Sequence, residues 1–194
     1  MDFEKRVAVD NDFIGHLLES NQPLDIILKH TQIALNDFGL SAIIHPLIYK
    51  NEVQKENTKI KSVFDNKLIE TISYADIFEN DKEKEEYYLF IANECLNYFY
   101  GDLLFDTLEE LWGFWAKRRS LGELHSLTMC AVCSCGMFLS DDKGSKRIKD
   151  YIKMRFDQEI KTYNRKEFFS EHRDLGKTNI PSSIRKSLSH ERCN

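Results

Sequence analysis

Six carboxylates stand where this chain turns from apolar to polar. Asp10 and Asp12 end the run "RVAVDND", and Asp141 and Asp142 end "GMFLSDD". Glu52 lies six residues after Pro46 in "HPLIYKNEV", and Glu123 follows Gly122 in "SLGELHS". Carboxylates drawn to one point repel unless a cation joins them. An oxygen-only donor set of that kind suits Mg²⁺ or Mn²⁺. Cations flank two of these positions: Lys117, Arg118 and Arg119 before Glu123, and Lys143, Lys146 and Arg147 after Asp142. They could hold phosphates, or simply offset the nearby acids.

Each acid also has a plain structural use. "SLGE" fits a helix-capping box from Ser120 to Glu123. Asp141 or Asp142 could cap the helix that follows, and Asp10 or Asp12 the helix from Phe13. Glu52 could be an exposed helix residue. What sets the acids apart from ordinary caps is where the neighbouring elements would bring them.

Those elements read as follows. "RVAV" (6–9), "LSAIIH" (40–45) and "GMFLS" (136–140) are short apolar strands. Helices fill the intervals. One runs from Pro23 to the stop at Gly39, one starts at Pro46, and a charged one lies within 54–86. "YYLFIANECLNYFY" reads as a buried helix, and "DTLEELWGFWAKR" as one opened by an Asp106/Glu109 box. "LGELHSLTMCAVCSC" is a helix of small residues, and "KGSKRIKDYIKMRF" a basic amphipathic one. Separated short strands joined by helices predict an α/β fold with a mostly parallel central sheet flanked by helices. In such sheets ligands sit beyond the carboxyl ends of the strands, and the acids fall at that edge. The expected organisation is one domain over 1–194, with a helical insertion at 55–118 and a basic extension at 151–194.

Length and composition agree. The 194 residues, 42% of them hydrophobic, suffice for one sizeable core, and the 3 prolines and 8 glycines favour long helices. The opening "MDFEKRVAVDND" is charged and contains no apolar stretch of the kind a secretory signal needs. The near-apolar run 129–139 is too short to span a bilayer. Five cysteines, three of them within "CAVCSC", form no disulfide framework and no paired zinc knuckle. They read as small core residues in a protein of the reducing cytoplasm. The net charge of −5 is unevenly spread: residues 1–142 are strongly acidic, and residues 143–194 carry 14 Lys/Arg against 7 Asp/Glu. A basic segment beside an acidic body could bring a phosphate backbone to a carboxylate site.

Taken in order, these motifs resemble the PIN-domain nucleases, and most closely the PIN-like proteins related to toxin–antitoxin ribonucleases. "VAVDND" resembles that family's opening strand, and "HPLIYKNEV" its Pro followed by Glu. "LGELHSLTMCAVCSCGMFLSDDKGSKR" is similar to its Gly-Glu helix, strand and Ser/Thr-x-Asp. The resemblance covers residues 5–54 and 119–150. It implies a metal-dependent endoribonuclease that hydrolyses phosphodiester bonds of single-stranded or structured RNA. Asp10, Glu52, Glu123 and Asp142 would be its catalytic acids. Asp10, Asp12, Glu123, Asp141 and Asp142 would hold Mg²⁺ or Mn²⁺. Asp12 departs from the family's Asn, Ser or Thr, and Asp141 falls at its variable position. Lys117, Arg118, Arg119, Lys143, Lys146 and Arg147 would bind substrate. Implied partners are RNA, an antitoxin or other protein, and a second copy of the chain; a membrane is not among them.

Two other readings compete. A PIN-like fold could serve as a non-catalytic interaction module, with Trp112 and Trp115 in its partner surface. "AVDND" also resembles the Asp-x-Asp opening of haloacid-dehalogenase-like phosphatases. Phe13 and Ile14 depart from that pattern, and it leaves Glu52 and Glu123 without a role.

Overall fold

Strand β1 (Arg6–Val9) carries Val7, Ala8 and Val9, all buried. A strand apolar at successive positions is covered on both faces, which is the situation of a parallel sheet between two helical layers. The computed structural model has that architecture. It describes residues 1–19, 23–51, 53, 58–101, 103–115 and 121–174. β2 (Ser41–Ile44), β3 (Ile69–Thr71), β4 (Met137–Leu139) and β5 (Thr162–Tyr163) join β1 in a five-stranded, all-parallel sheet of order β3-β2-β1-β4-β5.

Helices α1 (Asn11–Leu18) and α2 (Leu24–Phe38) lead from β1 to β2. Gly39 ends α2 in the left-handed region at φ 71°, where Leu40 N–H reaches back to the Leu35 carbonyl at 3.0 Å. α3 (Pro46–Asn51), α4 (Thr58–Asp65), α5 (Tyr74–Phe78), α6 (Lys82–Tyr100), α7 (Leu108–Trp115) and α8 (Gly122–Cys133) precede β4. α9 (Gly144–Phe156) and α10 (Arg165–Asp174) flank β5. α2 packs with α1 and α10, and α4 with α1; α8 packs with α6, α9 and α3. Among the described residues no helix is long and apolar enough to cross a membrane.

The α/β class, the parallel sheet and the three expected strands stand. The middle of the chain is helical from α4 to α7 but also supplies β3 to the sheet. The boundary expected at 151 falls inside α9, and β5 pairs with β4, so residues up to 174 belong to the domain rather than to an extension. Residues 175–194 lie outside the described residues. In place of the box expected at Asp106/Glu109, Thr107 Oγ1 accepts from Glu110 N–H at 3.2 Å, while Glu110 Oε2 accepts from Asp106 N–H at 3.1 Å. Cys95, Cys130, Cys133 and Cys135 are buried free thiols, as core packing requires.

Behind the carboxyl edge of the sheet lies a buried polar chain. His45, just past β2, has its Nδ1 accepting from Leu47 N–H at 3.2 Å, so Nε2 bears the hydrogen and donates to Tyr88 Oη at 3.0 Å. Tyr88 Oη in turn meets His125 Nδ1 at 2.8 Å. Burial holds both imidazoles neutral, pushing His125 down to about 3 and His45 well below its usual value.

Two tests follow from this packing. Tyr88→Phe removes the hydroxyl that both rings use and should cost about 1–3 kcal/mol in a urea titration. A Cβ added at Gly136 would collide with the Glu4 carbonyl oxygen, whereas at Gly15 it meets nothing within 4 Å. Gly136→Ala should therefore lose about 1–3 kcal/mol, while Gly15→Ala, inside α1, should be neutral or gain up to about 1 kcal/mol.

Candidate metal centre

β1 is the point where the strand order reverses: β2 lies on one side of it and β4 on the other. The crevice beyond the carboxyl ends of two such strands is where parallel sheets bind ligands. Register does the rest. Val9 pairs with Leu139, and Asp10 N–H continues the ladder to the Leu139 carbonyl at 2.9 Å. Asp10 and Ser140 therefore leave the sheet side by side.

Asp10 is only 4% exposed. Its Oδ1 accepts from Asn11 N–H at 2.8 Å, and its Oδ2 from Ser140 Oγ at 3.1 Å. The capping alternative is thus real for Asp10, and it coexists with a second role. Asp12, in the first turn of α1, is exposed. Glu123 comes from the first turn of α8, whose N-cap, Leu121, makes no side-chain cap. α8 starts against Asp10: a Cβ on Gly122 would lie 3.7 Å from Asp10 Oδ1. Oxygens of Asp10, Asp12 and Glu123 all lie within 4.8 Å of one another.

Glu123 records the crowding. Burial is the main cause that lifts its carboxyl to about 8, the Asp10 charge adds to it, and its own backbone N–H opposes it. A hydrogen bond with Asp142 and the Asp142 charge raise it further. Asp142 is thereby coupled to the group. It also closes a turn, with Oδ1 accepting from Gly144 N–H at 2.6 Å and its own N–H donating to Ser140 Oγ at 3.1 Å. The donor set consists of oxygens alone, and burial together with neighbouring charge favours the neutral form of one of its carboxyls. That set fits a hard divalent cation, which would replace the proton and relieve the repulsion.

Asp141 is placed otherwise than expected. Its oxygens accept from Arg165 N–H at 2.8 Å and meet His16 Nδ1 at 2.7 Å, with Arg165 Nε at 3.4 Å. They are turned to His16 and Arg165, and Asp141 is not among the carboxylates that converge. Lys143 and Lys146 line a cleft of about 310 Å³ together with Asp141, Asp142, Lys149, Tyr163 and Asn164. Arg147, expected beside them, stacks instead over the Phe99 ring at 5.6 Å. Glu52, Lys117, Arg118 and Arg119 lie outside the described residues. Trp112 stacks on Tyr74 at 3.8 Å and is half-buried.

Ser140, the Ser of the Ser/Thr-x-Asp motif, bridges Asp10 and Asp142, and two residues at this edge escape a reading of motifs: His16 and Arg165. A signal existed for His16, which lies one helical turn beyond Asp12. None existed for Arg165.

The raised carboxyl has a sign. Its stabilising contribution is complete below about 4.5, the ordinary value, and is lost as pH rises through about 8. Glu123→Gln abolishes that loss. In chelator the variant should melt several degrees above the native chain at pH 8.5, with a smaller gap at pH 5. Mn²⁺ should close the gap at pH 8.5 by stabilising the native chain alone. An equal gap at both pH values would mean that Glu123 ionises freely. Comparison with protein-family models, curated proteins and solved structures finds no match to this chain.

Proposed function

We propose that this chain is a divalent-metal-dependent endoribonuclease of PIN-like type, cutting phosphodiester bonds of single-stranded or structured RNA at the Asp10–Asp12–Glu123–Asp142 cluster. The observation that carries the reading is the meeting of Asp10, Asp12 and Glu123 at the sheet's switch point, where burial first and the Asp10 charge second raise the Glu123 carboxyl.

A divalent ion bound there supplies an acidified water and charge compensation for the phosphate. The rest belongs to the chain. Asp10 is oriented by Asn11 N–H and Ser140 Oγ, so a ligand oxygen is positioned before any ion arrives. A cluster carboxylate can accept the proton of the attacking water. Lys143 and Lys146, in the adjoining cleft, suit the flanking phosphates. The phosphatase alternative gives Glu123 no task, although Glu123 sits with Asp10. The interaction-module alternative draws no support from Trp112, whose ring is stacked on Tyr74. RNA as the substrate, and an antitoxin or a second copy as partner, rest on the family resemblance alone.

The decisive variant is Asp142→Asn. Asparagine keeps the Oδ1 acceptor for Gly144 N–H and removes the charge. Cleavage of a mixed single-stranded RNA pool in Mg²⁺ or Mn²⁺ should fall by at least about 100-fold, with circular dichroism and melting temperature preserved. Full activity in the variant would assign Asp142 to capping alone. A native chain inert toward RNA and DNA alike would favour the interaction module.

A further inference from the structure

Asp141 stands between two residues that face the cluster, Ser140 and Asp142, yet its own carboxylate serves a different pair. His16 Nδ1 lies 2.7 Å from Asp141 Oδ2. A carboxylate only accepts, so Nδ1 carries the hydrogen and the tautomer is set. Arg165 ties the pair together: its Nη1 donates to the His16 main-chain carbonyl at 2.5 Å, and its main-chain N–H donates to Asp141 Oδ1 at 2.8 Å. His16 remains 42% exposed, and among the described residues Nε2 has no hydrogen-bond partner. An orienting carboxylate on one nitrogen and an open second nitrogen is the arrangement that makes histidine a proton carrier.

Its position matches a need of the site. Asp12 and His16 are four residues apart on one face of α1, about 6 Å along the axis. His16 thus follows Asp12 by one turn of the same helix. Asp141 also lines the lysine cleft, so a polyanion passing from Lys143 and Lys146 to the carboxylates runs past the carboxylate that orients His16. Once a cation is bound, the cluster carboxylates are ionised and hold no proton to give. The oxygen that leaves phosphorus still requires one.

We propose that His16 is the general acid of the cleavage, with Asp141 and Arg165 as its positioning residues; the inference rests on the nuclease reading above. The water oxygen bonds to phosphorus. The bond from phosphorus to the leaving oxygen breaks, with its electron pair staying on that oxygen. His16, entering the step as the imidazolium with hydrogen on both nitrogens, delivers its Nε2 proton to turn that oxygen into a hydroxyl and is left as the Nδ1–H tautomer that Asp141 holds. The water's own proton goes to a cluster carboxylate and then to solvent, and solvent reprotonates the imidazole. One water is consumed, and no oxidant or reductant is needed.

The test compares two substrates under saturating Mn²⁺: an RNA oligonucleotide, and a nucleoside p-nitrophenyl phosphodiester whose leaving group departs without a proton. His16→Gln should lower kcat on RNA by about 100-fold or more and change kcat on the aryl ester less than about threefold. Asp141→Asn should show the same selectivity with a smaller loss. The ratio of the two rates in one preparation is independent of the folded fraction, so a misfolding variant does not obscure the result. Equal losses on both substrates would make His16 structural and overturn the proposal, as would undiminished cleavage of RNA. A native chain that cleaves neither substrate removes the nuclease reading and this inference together. Native cleavage with no substrate selectivity in the variant removes the inference alone.

Discussion

Like charges brought together out of water are the constraint around which the carboxyl edge of this sheet is organised. Asp10 is almost wholly buried, and a buried carboxylate is tolerated only when its oxygens are bonded. It has Asn11 N–H on one oxygen and Ser140 Oγ on the other. Glu123 arrives at the same place with no donor of comparable quality beyond its own backbone, and keeps a proton up to about 8. Burial and the neighbouring Asp10 charge both favour the neutral form of that carboxyl, so ionising it in place works against the packing that brings α8 to β1.

The fold creates this crowding through connectivity, not through local preference. β1 sits centrally, β2 lies to one side, and the chain passes through six helices and the edge strand β3 before β4 returns to the other side. That reversal leaves a crevice between β1 and β4 that no crossover covers. The register Val9 to Leu139 then sets Asp10 level with Ser140. Close packing makes the placement definite: Gly136 passes under the Glu4 carbonyl where no side chain would fit. α8, the helix that supplies Glu123, is buried along nearly its whole length, which holds its first turn against Asp10.

A second layer of charge surrounds the first. Asp141 has been drawn out of the carboxylate group by His16 and Arg165, which lowers the number of negative charges in the centre and builds an oriented imidazole at its rim. Lys143, Lys146 and Lys149 line the cleft between α9 and β5 that Asp141 and Asp142 also border. Acids at the centre, with cations and a histidine around them, give this edge two opposed layers of charge.

Much of this was legible in the order of residues. β1, β2 and β4 announce themselves because a strand buried on both faces reads as an unbroken apolar run. The acids that follow such a run must lie at the carboxyl edge, so Asp10 and the pair Asp141/Asp142 could be named from their place alone. β3 and β5 could not. They have three and two residues, sit at the edges of the sheet and carry Glu70, Thr71 and Thr162 toward solvent or half-burial, so no period separates them from loop. Glu123 was undecidable from sequence, because a capping residue and an inward-facing acid occupy the same first turn of a helix. Only the packing of α8 on β1 turns its carboxylate toward Asp10. Asp141 and Asp142 are adjacent and chemically identical, and the chain alone offers no means of telling which joins the cluster. Their separation depends on His16, 125 residues earlier, and Arg165, 24 residues later. Contacts across such distances are set by the closing of the sheet, and a reading of neighbours along the chain has no access to them.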